Sequence, residues 1–130
     1  MFDPAWYESL VLPTFTPPSY LFGIVWPILY AMMLVAAVII IRRGWQTSSV
    51  RVALLVFIIQ LALNLSWSPI FFGLHNIGLA AIVIAVLWVA IVANLLLFWR
   101  LSRLAGILLV PYLLWVSFAL VLNFTIWHLN

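Results

Sequence analysis

Four apolar runs of membrane-crossing length, about 19–41, 52–72, 78–99 and 104–129, follow one another with no Asp, Glu, Lys or Arg inside any of them. About 20 apolar residues at about 1.5 Å per helical residue match a hydrocarbon layer about 30 Å thick. Only helices and closed barrels satisfy every backbone polar group in that layer, and runs this long without strand-like alternation are helices. The composition admits no soluble alternative. Of 130 residues, 69% are hydrophobic and 5% charged, against about 45–50% and about 25% in soluble domains. The expected fold is all-α, an integral membrane bundle of four transmembrane helices forming one domain over residues 1–130.

Residues 1–18 cannot cross. They hold Trp6, Tyr7, Asp3, Glu8 and four of the seven prolines, the character of an interfacial proline-rich loop. Pro17 and Pro18 stand where the first helix begins, since proline costs little in a first turn. Pro27 lies inside the first span and Pro69 in the last turn of the second. The Arg42–Ser49 segment and the Arg100–Arg103 turn are polar connections on one side, with His75 and Asn76 in the connection on the other.

All five arginines (Arg42, Arg43, Arg51, Arg100, Arg103) fall at the first and third connections, while both acids and both histidines belong to the opposite side. Basic residues mark cytoplasmic loops, so the arginine side is expected in the cytoplasm and both termini outside. A pI near 10.0 would direct a soluble chain to nucleic acid. Here it sets topology, and no nucleic-acid partner is expected.

The chemical inventory is poor. There is no Cys, so no thiolate chemistry and no Cys-bound metal. Charge-coupled export needs an ionisable group within the membrane, and none is present. His75 and His128 match no metal-ligand spacing and no nucleophile motif. No catalytic residue, metal or obligatory cofactor is expected.

What remains is aromatic and amide. Phe22, Trp26, Tyr30, Met33 and Ala37 share one face of the first span; Gln60, Asn64, Trp67 (or Ser68) and Phe71 share one face of the second. Tyr112, Trp115, Ala119, Asn123 and Trp127 do so on the fourth. Two readings fit these stripes. One is interhelical packing, with Asn and Gln as hydrogen-bonding glue. The other is a cavity walled by rings for a flat apolar ligand, with Asn64 and Asn123 fixing a few polar atoms and Ala119 leaving room. The third span carries Ala81-x-x-x-Ala85, which suits either close helix approach in a homodimer or a lipid-facing surface.

Several blocks together resemble the TspO/MBR family of tryptophan-rich sensory and peripheral benzodiazepine-receptor-like proteins. They are Trp6-Tyr7 with Leu12-Pro13-Thr14-Phe15-Thr16-Pro17-Pro18, Phe22-Gly23-Ile24-Val25-Trp26-Pro27-Ile28-Leu29-Tyr30, and Asn64-Leu65-Ser66-Trp67-Ser68-Pro69-Ile70-Phe71-Phe72-Gly73. Leu104-Ala105-Gly106, Pro111-Tyr112-Leu113-Leu114-Trp115, Ser117-Phe118-Ala119 and Leu122-Asn123 complete the match. The resemblance implies a five-helix, commonly dimeric bundle. The four runs here correspond to its second to fifth helices, and the helix preceding the Trp-Tyr block is absent from this sequence. It further implies binding of tetrapyrroles (protoporphyrin IX or haem), sterol-like lipids and synthetic aromatic ligands. Trp26, Trp115 and Ala119 would form the pocket wall, with Tyr30, Asn64, Trp67 and Asn123 as neighbours, Pro17 and Pro18 in a lid, and Ala81 and Ala85 on the dimer face. The cholesterol pattern of the family's animal members needs Tyr and then Lys or Arg, but the last helix here reads Leu122-Asn123-Phe124-Thr125-Ile126-Trp127-His128.

The function expected is a membrane receptor or binding protein for porphyrin-like ligands, in tetrapyrrole homeostasis or stress signalling. The alternatives are a porphyrin-degrading enzyme, which product analysis would separate, and a small four-helix transporter, which lacks its acid. Topology has a direct check. Reporter fusions at Asn130 and within the Trp45–Ser49 loop should give opposite signals, and a cytoplasmic Asn130 overturns the assignment.

Overall fold

The computed structural model describes Trp6, Ser9, Leu10, Thr14 and residues 20–130, with Phe22 described in its backbone only. Most of the proline-rich stretch, including Pro17 and Pro18, lies outside the described residues. Four long helices follow: α1 (Tyr20–Ile41), α2 (Ser48–Ser68), α3 (Ile77–Leu101) and α4 (Arg103–Leu129), with a π-helical turn, Pro69–Gly73, extending α2. All four are long and apolar enough to cross a membrane. The chain is an integral membrane protein.

The helices depart from the sequence boundaries mainly at α2, which starts at Ser48 rather than near Val52. Gly44, at φ 121°, reverses the chain after α1, a conformation that glycine adopts without strain. Arg51 then donates from Nη1 to the carbonyls of Trp45 (3.3 Å) and Gln46 (3.1 Å), tying the connection to the first turn of α2. α1 runs unbroken through Pro27, where the missing N–H leaves the Gly23 carbonyl without its helical donor. Two side chains cap the later helices: Asn76 accepts from the Leu79 N–H, and Ser102 from that of Ala105.

The packing is inverted relative to a water-soluble protein. Gln60, Asn64, Asn94 and Asn123 are buried, whereas Ile58 and Val89 are each 62% exposed and Leu114 65%. Apolar residues cover the outside because acyl chains, not water, surround it. Helices in lipid gain little from apolar burial alone, so packing and interhelical hydrogen bonds hold them together.

α3 packs most extensively on α4, α2 on α3 and α1 on α4, whereas α1 and α2 touch only lightly. Around the bundle the order is therefore α1–α4–α3–α2, and the seam between the consecutive helices α1 and α2 is the loose one. Polar contacts pin two of the other pairs. Asn94 Nδ2 donates to the Ala53 carbonyl (3.3 Å) across α3–α2, and its Oδ1 has no partner among the described residues. Trp88 Nε1 donates to Ser117 Oγ (2.8 Å) across α3–α4. Nothing in the pattern of the third span singled out Trp88.

α3 and α4 meet closest at their connection. A Cβ on Gly106 would stand 2.9 Å from the Trp99 Cα and 2.7 Å from its ring. Gly106→Ala should therefore destabilise the bundle by about 1–3 kcal/mol through overpacking. Gly23, with nothing within 4 Å of its Cβ position, is the control, and Gly23→Ala should be neutral or slightly stabilising. Thermal unfolding in detergent reads both, and equal effects would contradict the packing at Gly106.

Candidate functional site

The aromatic and amide stripes converge on the half of the bundle away from the arginines. α1 contributes Trp26 and Tyr30, which stack with ring centroids 5.8 Å apart at 29°. α4 contributes Trp115, whose ring meets Trp26 edge-on at 6.5 Å and 87°. α2 contributes Gln60, Asn64 and Trp67, one turn apart and all buried.

A chain of hydrogen bonds runs through them. The Tyr30 hydroxyl donates to Asn64 Oδ1. Asn64 Nδ2 donates to the Tyr112 hydroxyl (2.9 Å), which in turn donates to Gln60 Oε1 (2.7 Å). Gln60 Nε2 ends the chain against Met33 Sδ at 3.8 Å. Three helices are joined by this one network. A second connection starts at Trp67, whose Nε1 donates to Asn123 Oδ1 (2.9 Å) while Asn123 Nδ2 donates to the Ile77 carbonyl (3.1 Å).

The amides are thus largely committed to the protein. Each of Asn64 and Asn123 uses one acceptor site and one N–H internally, leaving one of each. The packing reading accounts for these contacts, and Tyr112 and Gln60 belong to the network although the site residues chosen from sequence did not include them. Both lay on the stripes at helical spacing. What marks them out is their pairing across helices, which one sequence does not display.

The π-helical turn shapes the floor. Pro69 offers no N–H to the preceding turn, and the ladder widens, with Leu74 N–H bonding the Pro69 carbonyl at 2.9 Å and Asn76 N–H that of Ile70 at 3.1 Å. Such widened turns occur mostly as single insertions, often at functional sites. This one buries the consecutive rings of Phe71 and Phe72. Trp67 lies 5.2 Å from Phe71 and 5.9 Å from Phe72. On their far side Trp6 packs against both and stacks on His75 at 4.2 Å and 9°.

The expected single pocket is divided. A half-open cleft of about 200 Å³ in the α1–α2 seam is lined by Trp26, Tyr30, Asn64, Trp67 and Ser68. Ala119 and Asn123 lie instead beside a separate gap of about 10 Å³, walled by Trp67, Phe71, Phe72, Leu122 and Ile126. That gap holds one water at most. Ala119 is 3% exposed and acts as a small residue that lets rings pack, so leucine there would overpack rather than merely fill a void. Trp115 braces Trp26 from behind rather than lining the cleft.

Ala81 also departs from expectation. It has no exposed surface, so Ala81 packs inside the chain and cannot contact a second copy, whereas Ala85 is partly exposed. Among the described residues no group of three His, Cys, Asp or Glu is placed to hold a metal.

Comparison with known proteins agrees with this architecture. The family model described as "TspO/MBR family" matches residues 1–128. The tryptophan-rich protein TspO of Chlorobaculum tepidum is 47% identical, covering 96% of this chain and 79% of that protein. Protein CrtK of Rhodobacter capsulatus is 38% identical over all of this chain and 82% of its own length. The translocator protein of Homo sapiens is 36% identical, over 96% and 75% respectively.

The network has a sharp test. Tyr112→Phe removes one hydroxyl but strands both Gln60 Oε1 and Asn64 Nδ2, an expected loss of about 1–3 kcal/mol in stability. Thermal unfolding in detergent checks it, and an unchanged midpoint would show that the network contributes nothing.

Proposed function

The chain belongs to the TspO/MBR family, with the membrane sensory or translocator role that membership carries, and from that premise we propose that it binds flat apolar ligands of the porphyrin type. The observation that supports this reading is the α1–α2 cleft. Three aromatic rings, Trp26, Tyr30 and Trp67, wall it, and Asn64 and Ser68 supply a few polar atoms, the composition of a small-molecule site.

The fit sets conditions on the ligand. At about 200 Å³ the cleft is smaller than the about 300 Å³ at which ligand pockets usually start. A porphyrin ring enters by one edge and widens the seam. Among the described residues two hydrogen bonds cross that seam, Tyr30–Asn64 and the long Gln60–Met33 contact, and α1 and α2 otherwise touch only lightly, so this is the seam most easily widened. Among the described residues that line it there is no His, Cys or Met, and an iron in the ring would find no strong axial ligand among them. The reading therefore favours protoporphyrin IX over haem. A receptor or carrier needs no more than this, and the described wall residues contain no acid–base pair for hydrolytic work. The homodimer implied by the resemblance belongs to the same proposal; with Ala81 turned inward, its α3 contacts would come from outward residues such as Ile82 and Val86. In the same reading the arginine end faces the cytoplasm.

Titration of protoporphyrin IX into the purified protein, followed by tryptophan quenching, tests the site. Trp26→Ala removes a ring and its area and should weaken binding by about 2–3 kcal/mol, roughly thirty- to more than a hundredfold. Trp26→Phe keeps a ring and should weaken it less. Trp45, exposed in the arginine-side connection, is the control, and Trp45→Ala should leave affinity unchanged. Normal affinity in a folded Trp26→Ala variant would place any porphyrin site elsewhere.

A further inference from the structure

The opposite end of the bundle holds a larger cavity than the aromatic cleft. It measures about 350 Å³, lies between the first turns of α2 and the last turn of α3, and is lined by Ser48, Ser49, Val52, Leu97, Arg100 and Leu101. Its walls are of two kinds. Arg100 and the two serines supply a guanidinium and two hydroxyls, while Val52, Leu97 and Leu101 form an apolar flank.

Among the described residues the charge around it has no acidic partner. Five arginines gather at this end, and the sequence has no Asp or Glu after Glu8. Trp6, which stands between Asp3 and Glu8 in sequence, packs on Phe71, Phe72 and His75 at the other end. Arg51 commits one nitrogen to the carbonyls of Trp45 and Gln46, whereas Arg100 is exposed and lines the cavity. The helix ends that form the cavity are the ends of two membrane spans, which puts it at the depth of the lipid headgroups. The abundant anion at that depth is the phosphodiester. A guanidinium fork matches it bidentately, and serine hydroxyls can donate to its remaining oxygens. Below the cavity, Leu55 and Ile59 of α2 are 58% and 48% exposed, and Leu96 of α3 is 55% exposed, an apolar path for acyl chains.

We propose that this cavity is a binding site for the headgroup of an anionic phospholipid, with Arg100 holding the phosphodiester, Ser48 and Ser49 completing its hydrogen bonds, and Val52, Leu97 and Leu101 packing against the glycerol and upper acyl chain. Basic pockets between transmembrane helices bind anionic headgroups in this manner. The site is independent of the aromatic cleft, at the other end of α2.

The test uses the whole chain reconstituted in phosphatidylcholine vesicles doped with pyrene-labelled phosphatidylglycerol or, in parallel, pyrene-labelled phosphatidylcholine. Energy transfer from tryptophan to pyrene reads enrichment of each lipid at the protein. The expected result is a saturable preference for phosphatidylglycerol that falls about fivefold or more in Arg100→Gln. Val52→Phe should also weaken it, since it crowds the cavity while keeping every charge and adding no tryptophan donor, and Arg42→Gln should retain the saturable component. Circular dichroism of each variant confirms the fold. No preference in the native chain overturns the proposal, as does equal loss in Arg42→Gln and Arg100→Gln, which would mean surface charge without a site. Complete displacement by millimolar sn-glycerol 1-phosphate also overturns it, since the ligand would then be a free phosphate ester. Porphyrin affinity should be unchanged in Arg100→Gln, so this test and that of the cleft fail separately.

Discussion

Hydrocarbon offers a buried amide or phenol no water, so each must find its partner inside the protein. The bundle is organised around that demand. Tyr30, Asn64, Tyr112, Gln60 and Met33 form one line of donors and acceptors across α1, α2 and α4. Trp67, Asn123 and the Ile77 carbonyl form a second across α2, α4 and α3. Apolar contact can be made in many registers between two greasy helices, but these bonds close in one. They select the rotation of each helix about its axis, and with it which rings face each other.

The same bonds decide what is left for a ligand. Asn64 sits in the cleft wall, yet its oxygen and one N–H are engaged by Tyr30 and Tyr112. Under the proposed function, recognition there rests mainly on ring faces and shape, which suits a broad class of flat molecules better than one exact pattern of polar atoms. Polar groups free to meet a ligand stand instead at the other end of the molecule, where Arg100 and two serines surround open space.

Much of this was legible beforehand. Four spans follow from four uncharged runs, and the shared faces of Trp26 with Tyr30 on α1 and of Asn64 with Trp67 on α2 follow from their spacing at helical steps. Helical spacing identifies a face but not the neighbour that face will meet, and the departures share that cause. Ala119 was expected beside the ligand but packs beneath Trp67 in a separate gap. Ala81 was expected outside and is inside, because a small residue permits close approach without specifying which helix approaches. The π-helical turn was read only as a proline in a last turn, since the extra residue in the ladder shows in backbone bonds rather than in residue type.

The order α1–α4–α3–α2 leaves the consecutive helices α1 and α2 less in contact than the other neighbouring pairs around the bundle. A cleft in that seam lies on the flank of the bundle, beside acyl chains rather than at an aqueous mouth. For the ligand class we propose, the relevant concentration is then that of molecules dissolved in the bilayer. A hydrophobic ring accumulates there before it meets the protein. Affinities expressed per volume of water would accordingly scale with the amount of lipid or detergent present, and modest intrinsic contacts would suffice for high occupancy in the membrane.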